Sequence, residues 1–424
     1  MTISSIVVKV ASRCNLNCSY CYMYNQGDNS HKNQPKCISN EICDHLITRI
    51  NNHCLKHNLK RFEITFHGGE PLLLDPTFYS NFTEKCKINI SQKTIVGFSV
   101  QTNGTLVTKE WCELFEKLNI RPGFSLDGTK EAHDMFRVDH KGKGSYDDAV
   151  RGLNIYQAHN HNSGGVLSVL NIHSDPVEIY NHFKKNNVQR FNILIPDINY
   201  VTKESNNFDE NADPEKYGDW LIRLFDCWIE DEQKNKPVIG NFDSIINLII
   251  GRSEYGSEII GTLKNDVLVI ETDGGIEATD PLKTCGNNFT KEELNVSRNE
   301  FDEALNANLI NLYYNSHKFM SKKCRTCLIS DICGGGYLPH RYSHDNGFNN
   351  PSIYCNGLMK LITHIQNKVF DLLPQDVITE ANMEKLPFHQ LQEFVKQNIN
   401  SVEYEDSKVD FLLETFSKKE SLHI

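Results

Sequence analysis

Four short apolar runs in the first third of the chain each end on a cluster of polar, glycine or cysteine residues, and this repetition narrows the possible folds more than any other feature. Ser5–Ala11 (SIVVKVA) leads into a cysteine group, and Phe62–His67 (FEITFH) into Gly68-Gly69-Glu70. Thr94–Val100 (TIVGFSV) leads into Gln101-Thr102-Asn103-Gly104, and Gly123–Leu126 (GFSL) into Asp127-Gly128. Val166–Ile172 and Phe191–Ile195 continue the series more weakly. Between them lie helix-patterned stretches: Asn40–Lys56, with Ile42, Leu46, Ile47 and Ile50 on one face, and Lys109–Leu118. Strand–helix alternation repeated this often calls for a parallel sheet, either barrel-like or doubly wound. In β/α barrels the chemistry sits at the C-terminal ends of the strands. Polar clusters at four successive ends therefore mark a shared rim.

Beyond this region the pattern changes. From about Thr202 to Gly256 the chain turns helical and strongly charged, with apolar faces in Asp219–Ile229 (DWLIRLFDCWI) and Ile245–Ile250. A second cysteine-rich region, Cys285–Cys355, follows, and the last seventy or so residues are helical and amphipathic in pattern. With 424 residues, the chain exceeds one core of ordinary size. The reading divides it into a barrel over 1–200, a helical insertion or bridge over 201–265, a metal-binding extension over 266–370 and a C-terminal helical segment over 371–424. Nothing approaches an eighteen-residue apolar span. The N-terminus lacks the features of a signal peptide, so a cytoplasmic location and no membrane are expected. A net charge of −11, from 44 basic and 55 acidic residues, argues against a nucleic-acid partner.

Cys14-x3-Cys18-x2-Cys21 places three thiols within eight residues. Thiolate sulfur is the preferred ligand of iron–sulfur clusters and of zinc. A structural zinc or a saturated cubane takes four ligands, whereas three leave one metal position open. Zinc with a distant fourth ligand, or packed cysteines, are the plainer alternatives.

Arg13–Cys21 (RCNLNCSYC), including Tyr20 before the third cysteine, resembles the radical S-adenosylmethionine (SAM) signature. The resemblance implies a partial (β/α)6 TIM-type barrel and a [4Fe–4S] cluster on Cys14, Cys18 and Cys21, with SAM bound at the open iron. Gly68-Gly69-Glu70 resembles the family's SAM-binding turn, whose carboxylate is implied to meet the methionyl ammonium. Gln101, Asn103, Ser125 and Arg137 fall in runs that resemble the ribose- and carboxylate-contacting segments, although each run read alone is a polar turn after a strand.

Cys324-x2-Cys327-x5-Cys333, with Cys355 downstream, is a second metal signal, with structural zinc the alternative. The spacing resembles the SPASM extension of peptide-modifying radical SAM enzymes, a C-terminal iron–sulfur domain that normally carries seven cysteines and two auxiliary clusters. Here Tyr337 and Thr279 stand where two cysteines are expected, and only Cys285 remains of the other set. One auxiliary [4Fe–4S] cluster is therefore expected, on Cys324, Cys327, Cys333 and Cys355. Cys37, Cys43, Cys54, Cys86, Cys112 and Cys227 lack ligand spacing and are expected to be buried apolar packing.

Cys333–Ser343 (CGGGYLPHRYS), Asn350–Cys355 and Arg13–Asp28 resemble the cyclophane-forming maturases, which join an aromatic ring to a β-carbon in a ribosomal precursor peptide. That resemblance implies a peptide substrate, a flavodoxin- or ferredoxin-type electron donor and a proton acceptor, for which Asp280 is the candidate. Sulfatase-maturase-like or thioether-forming chemistry is the alternative, and an iron–sulfur or zinc protein without catalysis is a further one. The first strand begins within about five residues, which leaves leader binding to 202–256, the C-terminal segment or another protein.

Overall fold

The computed structural model describes residues 1–160, 164–203, 213–380, 382–400 and 407–417, and the chain divides into two compact units. The first comprises Met1–Val169, Phe183–Leu194 and Asp266–Tyr314; the second comprises Leu170–His182, Ile195–Asn265 and Asn315–Ile424.

The first unit is built on six parallel strands that neighbour one another in chain order: β1 (Ser5–Ala11), β2 (Arg61–Gly68), β3 (Ile95–Thr102), β4 (Ile120–Ser125), β5 (Gly165–Val169) and β6 (Arg190–Leu194). A further strand, Val267–Ile270, lies parallel to β1 on its other side and folds back as a hairpin onto Ile276–Glu277. The first strand runs as the apolar pattern predicts, Ser5–Ala11. The fourth begins earlier than expected and passes through Pro122, because pairing with β5 starts only at Gly123 and asks no donor of Pro122 on that side.

The helices follow from ordinary capping and periodicity. Ser39 accepts the Ile42 N–H at the start of α1 (Asn40–Lys56), whose Leu46, Ile47 and Ile50 face the core. Thr108 accepts the Trp111 N–H and starts the helix Lys109–Leu118, which Asn119 ends in the left-handed conformation. Cys43, Cys54, Cys86 and Cys112 pack in the interior as expected, whereas Cys37 is exposed and Cys227 only half-buried. No described helix is long and apolar enough to cross a membrane.

In the second unit the helices Pro214–Ile229 and Cys355–Leu372 lie against each other through Gly218 and Gly357. A Cβ on Gly218 would sit 2.5 Å from the Gly357 Cα. Asn356–Glu215, Lys360–Asp219, His364–Asp226 and Lys368–Glu230 line the pair, one contact per turn of the second helix. This packing fixes the first residue of the second helix, Cys355. Residues 204–212 of the charged insertion lie outside the described residues.

Candidate active site

The loop after β1 carries Cys14, Cys18 and Cys21. The Leu16 N–H donates to Cys14 Sγ at 3.3 Å, and the Cys21 carbonyl accepts the N–H groups of Tyr24 and Asn25. Burial pushes the Cys14 and Cys21 thiols up to about 12 and raises Cys18; Cys18 raises both of the others further, and Cys21 raises Cys14. Three half-buried thiols on one loop, disfavoured together as free anions, are suited to one cationic metal centre, which deprotonates its ligands on binding.

Gly68 and Gly69 bring the end of β2 onto this loop. The Gly69 and Glu70 N–H groups donate to the Ala11 and Arg13 carbonyls at 2.8 and 2.9 Å. A Cβ on Gly69 would fall 2.2 Å from the Arg13 carbonyl oxygen and from Tyr24 Oη, and one on Gly68 would fall 2.2 Å from the Ala11 oxygen. The two glycines are therefore required by the approach of backbone to backbone. Glu70 is buried, and its oxygens accept from the Leu72 N–H (3.0 Å), the Thr102 hydroxyl (2.7 Å) and the Asn103 N–H (2.8 Å). The carboxylate binds the β2 and β3 ends together. Burial lifts it to about 7 despite these donors.

Asn103 continues the chain of contacts. Its amide donates to Asn15 Oδ1 at 2.8 Å, and its Oδ1 accepts from the backbone and hydroxyl of Thr105. At the neighbouring strand ends Gln101 Nε2 donates to Ser125 Oγ at 2.9 Å. Tyr20 and Arg137 meet on a residue that the motif reading did not single out. Asp127 Oδ2 accepts from Tyr20 Oη at 2.5 Å and from Arg137 Nε at 2.8 Å, while its Oδ1 accepts the Val169 N–H. Arg137 also reaches Cys18 and lies over the Tyr20 ring. The signal for Asp127 was its place in Ser125–Gly128, directly after β4.

Asp280 follows Thr279 at the hairpin end, and Lys9 from β1 donates to its Oδ2 at 2.7 Å. Among the described residues its Oδ1 has no hydrogen-bond partner, and Lys283 Nζ stands 4.0 Å away. Burial opposes its charge, but Lys9, Lys283 and His67 hold the carboxyl below its usual range. Lys283 also pairs with Glu271 and Glu277, and Lys291 with Glu277, so three lysines face three carboxylates in the hairpin interior. Lys9 was not legible as a site residue, since it reads as one lysine in an apolar strand.

In the second unit Cys324, Cys327, Cys333 and Cys355 line one small cavity with Ile329, Met359 and Val395. Gly334, Gly335 and Gly336 after Cys333 all have positive φ (63°, 78° and 73°), which turns their carbonyls away from an ordinary helical course. Burial raises Cys327 and Cys333 and pushes Cys355 up to about 12. Four clustered thiols, three around short helices and Cys355 at the start of a long one, fit a closed four-thiolate centre.

The comparisons bear on this geometry. Residues 8–185 match the model of the radical SAM superfamily. The chain has the radical SAM fold. It is 27% identical to a cysteine-type anaerobic sulfatase-maturating enzyme of Clostridium novyi over 84% of this chain and 92% of that protein. It is also 27% identical to a serine-type enzyme of Bacteroides thetaiotaomicron, over 85% of this chain and 88% of that one. The solved structure of native anSMEcpe with bound AdoMet superposes with a TM-score of 0.74 and 21% identity, covering 87% of this chain and 98% of that one. The expectation of cyclophane formation is thereby overturned, because cysteine- and serine-type sulfatase-maturating enzymes align along most of the chain. Thr279 and Tyr337, both buried here, bear through that resemblance only on expected cluster ligands. They carry no information about which substrate carbon reacts, and this is why that inference failed.

Proposed function

We propose that this radical SAM enzyme oxidises the side chain of a cysteine or serine within a peptide to an aldehyde, as in sulfatase maturation. The observation that carries the reading is the alignment with the maturating enzymes across four-fifths of this chain and nearly all of theirs. It uses SAM on a [4Fe–4S] cluster and one auxiliary [4Fe–4S] cluster. Cys14, Cys18 and Cys21 hold the first, and Cys324, Cys327, Cys333 and Cys355 the second. When bound, the first cluster and SAM supply a carbon radical that takes one hydrogen atom from the substrate.

The chain's own residues then do three things. Gly68, Gly69, Glu70 and Asn103 keep the strand ends locked to the cysteine loop, so that the site is preorganised. Arg137, held by Asp127, presents a cation beside Cys18 for an anionic group of SAM, with Tyr20, Gln101 and Ser125 on the same rim. Asp280 accepts the proton at Oδ1 while Lys9 holds its other oxygen. Loss of a hydrogen atom, then of one electron and one proton, takes a cysteine CH2–SH to a thioaldehyde. Water converts that to the aldehyde with release of hydrogen sulfide; serine reaches the aldehyde directly. A four-thiolate cluster held by Cys324, Cys327, Cys333 and Cys355 would supply an acceptor for that electron.

The test is anaerobic incubation with SAM, dithionite and sulfatase-derived peptides that carry cysteine or serine at the target position. Hydrazide capture and mass spectrometry should find an aldehyde in one or both. Unmodified peptides alongside abundant deoxyadenosine, or a cross-linked product, would overturn the proposal.

A further inference from the structure

Arg341 is the largest fully buried side chain among the described residues, with none of its surface exposed. Arginine stays protonated in proteins, and a buried charge needs either a partner or a field that offsets it. Its Nη1 donates to the carbonyls of Ser316 (2.9 Å) and Phe319 (3.1 Å), its Nη2 to those of Gly334 (2.8 Å) and Gly336, and its Nε to Gly336 (3.1 Å). Hydrogen bonding is therefore satisfied by neutral acceptors alone. Among the described residues no carboxylate pairs with it; the groups able to carry a negative charge that bear on it are Cys324 and Cys333, and His317 also lies in its field.

The local chain is shaped around this cation. Gly334 and Gly336 accept its hydrogen bonds in backbone conformations that side chains other than glycine's rarely adopt. A Cβ on Gly335 would come within 3.0 Å of Nη2. Three successive glycines after Cys333 thus fold the cysteine turn over a guanidinium. The other nearby cation, Lys323, reaches Cys355 from a half-buried position, where solvent screens it.

We infer that Arg341 is the counter-charge of the four-thiolate centre, placed to raise its reduction potential so that it accepts the electron leaving the substrate. The inference rests on the auxiliary cluster of the proposed function. An oxidised [4Fe–4S] centre with four thiolates carries two net negative charges, and reduction adds a third. A fixed positive charge in a medium of low dielectric favours the reduced state. Arg341 acts through the cluster and is a positioning residue, not a catalytic one.

The test removes the first cluster with C14A/C18A/C21A and follows the remaining one by iron analysis and by redox titration read by electron paramagnetic resonance. The full-length protein with R341K or R341M is then compared in that background. Iron retained in all three proteins, with R341M harder to reduce by tenfold or more and R341K near the parent, is the expected result. A tenfold change is about 59 mV for one electron. Equal potentials in the parent and R341M, with iron retained, would overturn the inference and leave the auxiliary cluster standing. Absence of iron in the parent would overturn the cluster, and the inference with it. If R341M loses its far-UV circular dichroism, R341Q replaces it in the titration under the same criteria.

Discussion

Arg137 Nε donates to Asp127 Oδ2 at 2.8 Å, and both side chains are buried beside Cys18 and Tyr20. One carboxylate thus holds an arginine and a phenol at the ends of β4 and β5, the latter through the Val169 N–H. The pair converts two residues separated in sequence into a fixed cationic corner of the site.

Replacing Asp127 with Asn keeps the shape but leaves Arg137 uncompensated. D127N is expected to lose about 3 kcal/mol of stability and to bind SAM at least tenfold more weakly. Chemical denaturation and equilibrium SAM binding on the reconstituted protein measure the two effects. Unchanged affinity would remove Arg137 from the SAM site.

Gly69→Ala puts a methyl 2.2 Å from the Arg13 carbonyl and from Tyr24 Oη. Backbone atoms must move, at a cost of about 1–3 kcal/mol, and the cysteine loop moves with them. Iron retained by the C324A/C327A/C333A/C355A protein should fall when G69A is added. Full iron with wild-type SAM cleavage would show that the close approach is dispensable.

Asp280→Asn removes the proton acceptor but not the radical chemistry. Product formation should drop by about a hundredfold or more, while deoxyadenosine still accumulates from SAM. If the peptide is oxidised at the wild-type rate, Asp280 is not the base.

Asp302 gives a pH-dependent readout away from the site. Burial opposes its charge, yet Lys56, His57 and His53 hold it down at about 2 against a usual 3.8. A depressed carboxyl stabilises the fold above its unfolded value and loses that contribution as pH falls through the folded one. Wild type should exceed D302N by about 1 kcal/mol near neutrality, the partial exposure of the group screening the rest. The gap should close as pH falls from 3.8 toward about 2. Urea midpoints of the two proteins across that window check it.

The sequence by itself determined the features that are local. Period-two apolar runs are set by neighbouring residues, so Ser5–Ala11 and its successors could be read as strands and their polar ends as a rim. Two sets of cysteines lie at ligand spacing on short turns, and Gly68-Gly69-Glu70 follows a strand, so these too were legible. Only the tertiary structure decided the pairings that cross the chain. Lys9 and Asp280 are 271 positions apart, and no spacing rule links a lysine in one strand to a carboxylate beyond another. Asp127 became visible only when Tyr20 and Arg137 were seen to share it, and Arg341 only when its carbonyl cage proved to hold no carboxylate. A buried charge is defined by what surrounds it, and folding supplies those surroundings.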